Sequence, residues 1–73
     1  MIQETIIRRV RDIDILMQQI EEETNPELKL VWEYQINLNL ATIDAMMRQN
    51  FVLAQTYIDE IVRSTIAATN WRK

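Results

Sequence analysis

The sequence contains no cysteine, no histidine and no glycine, and only one proline, Pro26, among its 73 residues. Without cysteine there is no disulfide to restrain so short a chain. Without cysteine and histidine there is no zinc site of the usual kind and no imidazole for acid-base chemistry. The lack of glycine removes the residue that enters left-handed turns at little cost, which biases the chain toward long helices.

Catalytic patterns are missing as well. There is no Ser-His-Asp set, no glycine-rich phosphate loop and no nucleophilic cysteine. The carboxylates Asp12, Asp14, Glu33, Asp44, Asp59 and Glu60 would need a concave pocket holding two of them at a fixed separation. A small helical chain has little room for one. The sequence therefore predicts a protein that is not an enzyme, with no catalytic or cofactor-binding residue, no metal site, no cofactor and no small-molecule substrate.

Long apolar runs are scarce. The least charged stretch, 36–58, is interrupted by Asp44 and Arg48, and its polar residues recur at helical intervals, so no membrane span is expected. Glu4, Arg8, Arg9 and Arg11 break up the N-terminal region where a targeting signal would need an apolar core. The cytoplasm is the expected compartment.

What is present is an ordinary globular balance, 48% apolar and 26% charged residues, which argues against disorder. The length suits one domain over residues 1–73. A chain of this size removes only about 60% of its unfolded surface from water on folding. With cross-links and metals excluded, self-association or docking on a partner is the remaining source of stability.

The apolar spacing is helical throughout. Ile6, Val10, Ile13, Met17 and Ile20 alternate steps of four and three, a seam of coiled-coil type that Ile2, Ile7 and Leu16 widen. Farther along, Leu28, Trp32, Ile36, Leu40, Ile43 and Met47 share one face, and Val31, Tyr34, Leu38, Ala41 and Ala45 share the adjoining one. That surface is wider than one neighbour covers, so the second helix is expected to pack on two sides. Phe51, Ala54, Ile58, Ile61, Thr65 and Ala68 form a third stripe, with Tyr57, Val62 and Ile66 beside it.

The boundary between the first two helices is the strongest local signal. A residue before proline is pushed out of the α region, which places Asn25 at an N-cap and Pro26 at the first helical position. Thr24 and Glu27 also fit a capping box shifted by one residue. The second boundary admits two readings. Asn50 suits a left-handed cap, whereas the step of four from Met47 to Phe51 keeps the stripe in phase, as one continuous helix would. The fold predicted is all-α: a small antiparallel bundle of three helices (about 3–23, 26–49 and 51–70), or a hairpin with one long second helix.

The stretch NLATIDAMMRQNFVLAQTYIDEIV, residues 39–62, resembles the helix-turn-helix of tetratricopeptide repeats. Phe51, Ala54 and Tyr57 stand at the spacing those repeats use, with Gln49 in place of their turn glycine. The resemblance implies a turn near Asn50. The segment NPELKLVWEYQINL is similar to the mid-chain turn of type III secretion needle subunits and their hairpin co-chaperones. This likeness implies a structural subunit of a helical assembly as an alternative reading, although residues 46–66 largely lack the lysines and serines of those subunits.

Charge is uneven along the chain, whose net value is -3. From Met1 to Arg11 three arginines oppose one glutamate, or +2, while Asp12 to Glu27 holds six acids and no base, or -6. Such polarity favours antiparallel or head-to-tail contact between copies. Arg8, Arg9 and Arg11 raise nucleic-acid regulation as a further alternative, but Glu4 and Asp12 each lie four residues from Arg8, and an acidic chain repels phosphate. Nucleic acid is not the favoured partner.

Glu21, Glu22 and Glu23 crowd the end of the first helix, where the dipole disfavours negative charge. Successive helical positions point 100° apart, so they do not converge on a metal ion. They read as a solvated helix end relieved by Lys29, or as an acidic apex for a basic partner. The function expected is protein-protein interaction, as an adaptor, chaperone or regulator that acts through helix faces and forms at least a homodimer. The residues proposed for contact are Trp32, Leu38, Met46, Phe51 and Trp71, together with the Glu21–Glu23 run.

Overall fold

Asn25 sits just before Pro26 in an extended conformation (φ -86°, ψ 115°), and its side-chain oxygen accepts the backbone N–H of Glu27 at 3.0 Å. That closes one of the orphan donors at a helix start, while Pro26 occupies the position whose missing N–H costs nothing. The computed structural model describes the backbone of residues 2–72 and the side chains of residues 2–70. Within that range the chain forms three helices: α1 (Ile2–Glu22), α2 (Pro26–Met47) and α3 (Phe51–Arg72). These match the expected three-helix bundle to within two residues at each end. The alternative hairpin with a single long second helix is not adopted.

The break between α2 and α3 is a Schellman motif. Asn50 N–H reaches back to the Ala45 carbonyl at 2.8 Å and Gln49 N–H to that of Met46 at 3.0 Å. These two bonds satisfy carbonyls that the end of a helix leaves open. The left-handed residue is Gln49, at φ 62°, rather than Asn50. Asn50 instead caps the next helix, its side chain accepting Leu53 N–H at 3.3 Å. The chain thus stops a helix whose apolar stripe runs on in phase, because one capping side chain and two Schellman backbone bonds are made at the turn.

Connections of three residues make consecutive helices antiparallel neighbours. α2 packs against both α1 and α3, while α1 and α3 make no close backbone approach to each other among the described residues. The expectation that α2 packs on two sides is met. The core is correspondingly split. At one end Leu16 of α1, Leu28 and Trp32 of α2 and Ala68 of α3 cluster, with Ile20, Val31 and Ile36 against them. At the other end Ala45 and Met46 meet Ala54, with Ile6 and Tyr57 alongside. Alanine at positions 45, 54 and 68 lets α3 lie close against α2.

A non-glycine residue held in the left-handed region costs roughly 1–2 kcal/mol. Replacing Gln49 with glycine should therefore raise stability by about 1 kcal/mol, which is ~4–8 °C in Tm for a domain of this size. Thermal unfolding followed by circular dichroism measures this. An unchanged or lower Tm would mean that Gln49 makes a compensating contact.

Candidate interaction surface

The line of α2 that faces both neighbours is Leu28, Trp32, Gln35, Asn39, Thr42 and Met46, and all six are buried. Its middle is polar. Asn39 and Thr42 are 0% exposed, and each bonds a carbonyl one turn back: Asn39 Nδ2 that of Gln35 at 2.8 Å, Thr42 Oγ1 that of Leu38 at 2.7 Å. Gln35 Nε2 crosses to α3 and donates to Ser64 Oγ and Thr65 Oγ1, both at 3.1 Å. These bonds fix the register of α3 on α2. The apolar spacing did not reveal this line, because it assigns the inward positions to Ile36, Leu40, Ile43 and Met47.

On α1 the three arginines do not act together. Arg8 and Arg11 are exposed, whereas Arg9 turns inward, its side chain 12% exposed, and pairs with Asp12 at 2.9 Å. The sequence had set Asp12 opposite Arg8. Two sealed polar atoms, Arg9 Nε and Asn39 Oδ1, have no hydrogen-bond partner within the described protein. A hollow of about 160 Å³ lies next to Asn39, lined by Asp12, Ile15 and Leu16 of α1, Gln35 of α2, and Ile61 and Thr65 of α3. It lies between α1, α2 and α3.

Of the residues proposed for contact, Trp32, Leu38 and Met46 are buried in the packing of α2. Contact through them would require the helices to part. Phe51 is exposed at the α2–α3 turn beside Val52 and Leu53. Trp71 belongs to α3, but its side chain lies outside the described residues. Glu21 and Glu22 are solvated, while Glu23 is half-buried and folds back over the end of the core. Its carboxylate accepts Trp32 Nε1–H at 3.5 Å and Asn25 N–H at 3.4 Å. The glutamate run is therefore two exposed charges and one that helps close the first turn. Among the described residues no group of three carboxylates is placed to hold a metal ion, and no helix is long and apolar enough to cross a membrane.

The surface that the structure does present is apolar. On α1, Ile6, Ile13 and Ile20 are half-buried, and Val10 and Met17 between them are exposed. On α2, Ile36 and Ile43 are half-buried, while Leu40 and Met47 are 53% and 71% exposed. A third apolar stripe, Phe51, Val62 and Ile66, lies open on α3. On α2, Leu40 and Met47 belong to the apolar stripe the sequence shows and lie outward, since Gln35, Asn39 and Thr42 occupy the buried line. Across the α2–α3 contact, Tyr34 donates its hydroxyl to Glu60 at 3.2 Å. Desolvation against α3 and the neighbouring carboxylate together hold the Tyr34 hydroxyl above its ordinary pKa.

A buried acceptor without a donor costs about 1–3 kcal/mol. Replacing Asn39 with leucine removes that acceptor and adds apolar volume beside the hollow, so the variant should be more stable by about 1–2 kcal/mol in urea unfolding. A loss of comparable size would show that Asn39 contributes more to α2 packing than its unpaired oxygen costs. The chain matches no protein-family model, no curated protein and no solved structure at a significant level.

Proposed function

We propose that this chain is a non-enzymatic helical interaction module, an adaptor, chaperone or regulator, that acts through its helix faces and forms at least a homodimer. The observation that carries the reading is surface area. The chain exposes 5430 Å², whereas a compact monomer of 8.8 kDa is expected to expose about 4,800 Å². The exposed apolar residues include Val10 and Met17 of α1, Leu40 and Met47 of α2, and the turn around Val52, which is 81% exposed. Contiguous apolar area of this kind on a small domain marks a binding face.

The partner is a protein, or the chain itself, and the cytoplasm is the compartment that suits a chain without cysteine. Gln35, Asn39 and Thr42 support the same reading, because polar side chains in a helical core fix alignment at the expense of stability. The needle-like alternative rests on the likeness of residues 25–38; its form with one second helix unbroken through Asn50 is not adopted, because the chain turns at 48–50.

Size-exclusion chromatography with light scattering at micromolar concentration tests the proposal. The mass should be at least twice 8.8 kDa. A monomer at that mass which also fails to bind an apolar dye would refute it.

A further inference from the structure

We propose that α1 is a strap that swings away from the α2–α3 hairpin as one unit before the rest of the fold opens, and that this opening uncovers Leu28, Trp32 and Asn39. The inference does not depend on self-association, because it concerns the order in which the helices of one chain part.

α2 and α3 are pinned to each other by side-chain hydrogen bonds that cross between them. Gln35 Nε2 donates to Ser64 and Thr65, and the Tyr34 hydroxyl donates to Glu60. Their turn is closed by the Schellman bonds and by the Asn50 cap. Parting α3 from α2 breaks the crossing bonds.

α1 is held differently. Of its 21 residues Leu16 alone is buried, in the cluster with Leu28, Trp32 and Ala68. Its buried ion pair, Arg9 with Asp12 at 2.9 Å, lies within the helix at i,i+3 spacing and survives when the helix leaves. α3 buries only Ala54 and Ala68, so apolar burial does not separate the two outer helices. The polar contacts do. Glu23, just past the end of α1, accepts Trp32 Nε1–H at 3.5 Å and marks the point at which the strap stays tethered.

The closed position also carries a penalty in the α1–α2 layer. Arg9 Nε on α1 and Asn39 Oδ1 on α2 are buried without a partner within the described protein, and such atoms lose hydration with nothing in return. Opening gives water back to both. The hollow of about 160 Å³ that Asp12, Ile15 and Leu16 line with Asn39 removes packing contacts from the same layer. At the far end of α1, Glu21 and Glu22 are solvated at the negative end of the dipole, with no basic residue in the last turn. Segments with few buried apolar side chains are the ones that open below the global unfolding free energy. Once detached, a helix of this length is marginal in water, so its amides exchange with solvent.

The test is residue-by-residue amide hydrogen exchange, read by NMR on the full chain as wild type, Leu16→Ala and Thr65→Val. In the wild type the slowest amides of α1 should exchange at least about tenfold faster than the slowest of α2 and α3. Leu16→Ala should accelerate α1 by a further factor of about ten, and the other two helices by less than about threefold. Thr65→Val removes a hydroxyl that Gln35 uses, so it should accelerate α2 and α3 and leave α1 within about twofold. Equal slowest rates in all three helices of the wild type would show a single opening unit and overturn the strap. Faster exchange in α3 than in α1 would overturn it as well, and so would a common acceleration of all three helices in Leu16→Ala. Should Leu16→Ala not fold, the wild type and Thr65→Val decide between these outcomes.

Discussion

One helix in this protein packs closely against two neighbours whose backbones make no close approach to each other among the described residues. α2 contacts α1 along one flank and α3 along the other. A helix placed between two others buries the line that faces both and exposes the two edges of its apolar arc. On α2 the buried line carries Gln35, Asn39 and Thr42, and an exposed edge carries Leu40 and Met47. A closed three-helix bundle would have used the leucine and methionine inside. The polar middle and the greasy exterior are thus two results of the same rotation of α2.

The polar middle has a structural use. Gln35 bonds Ser64 and Thr65 across the α2–α3 contact, and Arg9 and Asp12 sit at the α1 side of the same layer. Hydrogen bonds at this depth are lost if either helix slides by a turn, so they select one alignment among the several that a repeating apolar stripe would allow. The unpaired Asn39 oxygen costs stability. A chain of this length has little to spare, since small cores supply only about 3–5 kcal/mol. Under the proposed self-association, burial of the exposed stripes by a partner would offset that shortfall.

Much of the fold was legible because its signals are local. Asn25 and Pro26 determine the start of α2 through their own backbone preferences, and the lack of glycine with helical spacing throughout indicates an all-α chain. The second turn was less legible. The stripe keeps phase from Met47 to Phe51, and the residue that takes the left-handed conformation, Gln49, has no special preference for it. Its position follows from the capping bonds around it. Least legible was the rotation of α2, because 28-32-35-39-42-46 (steps of 4-3-4-3-4) and 28-32-36-40-43-47 (steps of 4-4-4-3-4) are both helical spacings. Composition favours the second line as the inward one, and only packing on two sides selects the first. Met46, proposed for contact on residue type, is buried for this reason, as Trp32 and Leu38 are buried against the neighbouring helices, while Val10, Met17, Leu40 and Met47 of the apolar stripes are exposed.

If the outer face is covered in solution by a second chain, folding and association are linked, and stability must depend on how much protein is present. The most direct measurement is the thermal midpoint at protein concentrations spanning about three orders of magnitude. The account predicts a Tm that climbs steadily with concentration. A Tm that stays constant across the range, with a sharp two-state transition, would show that the exposed stripes of α1 and α2 need no cover and would contradict it.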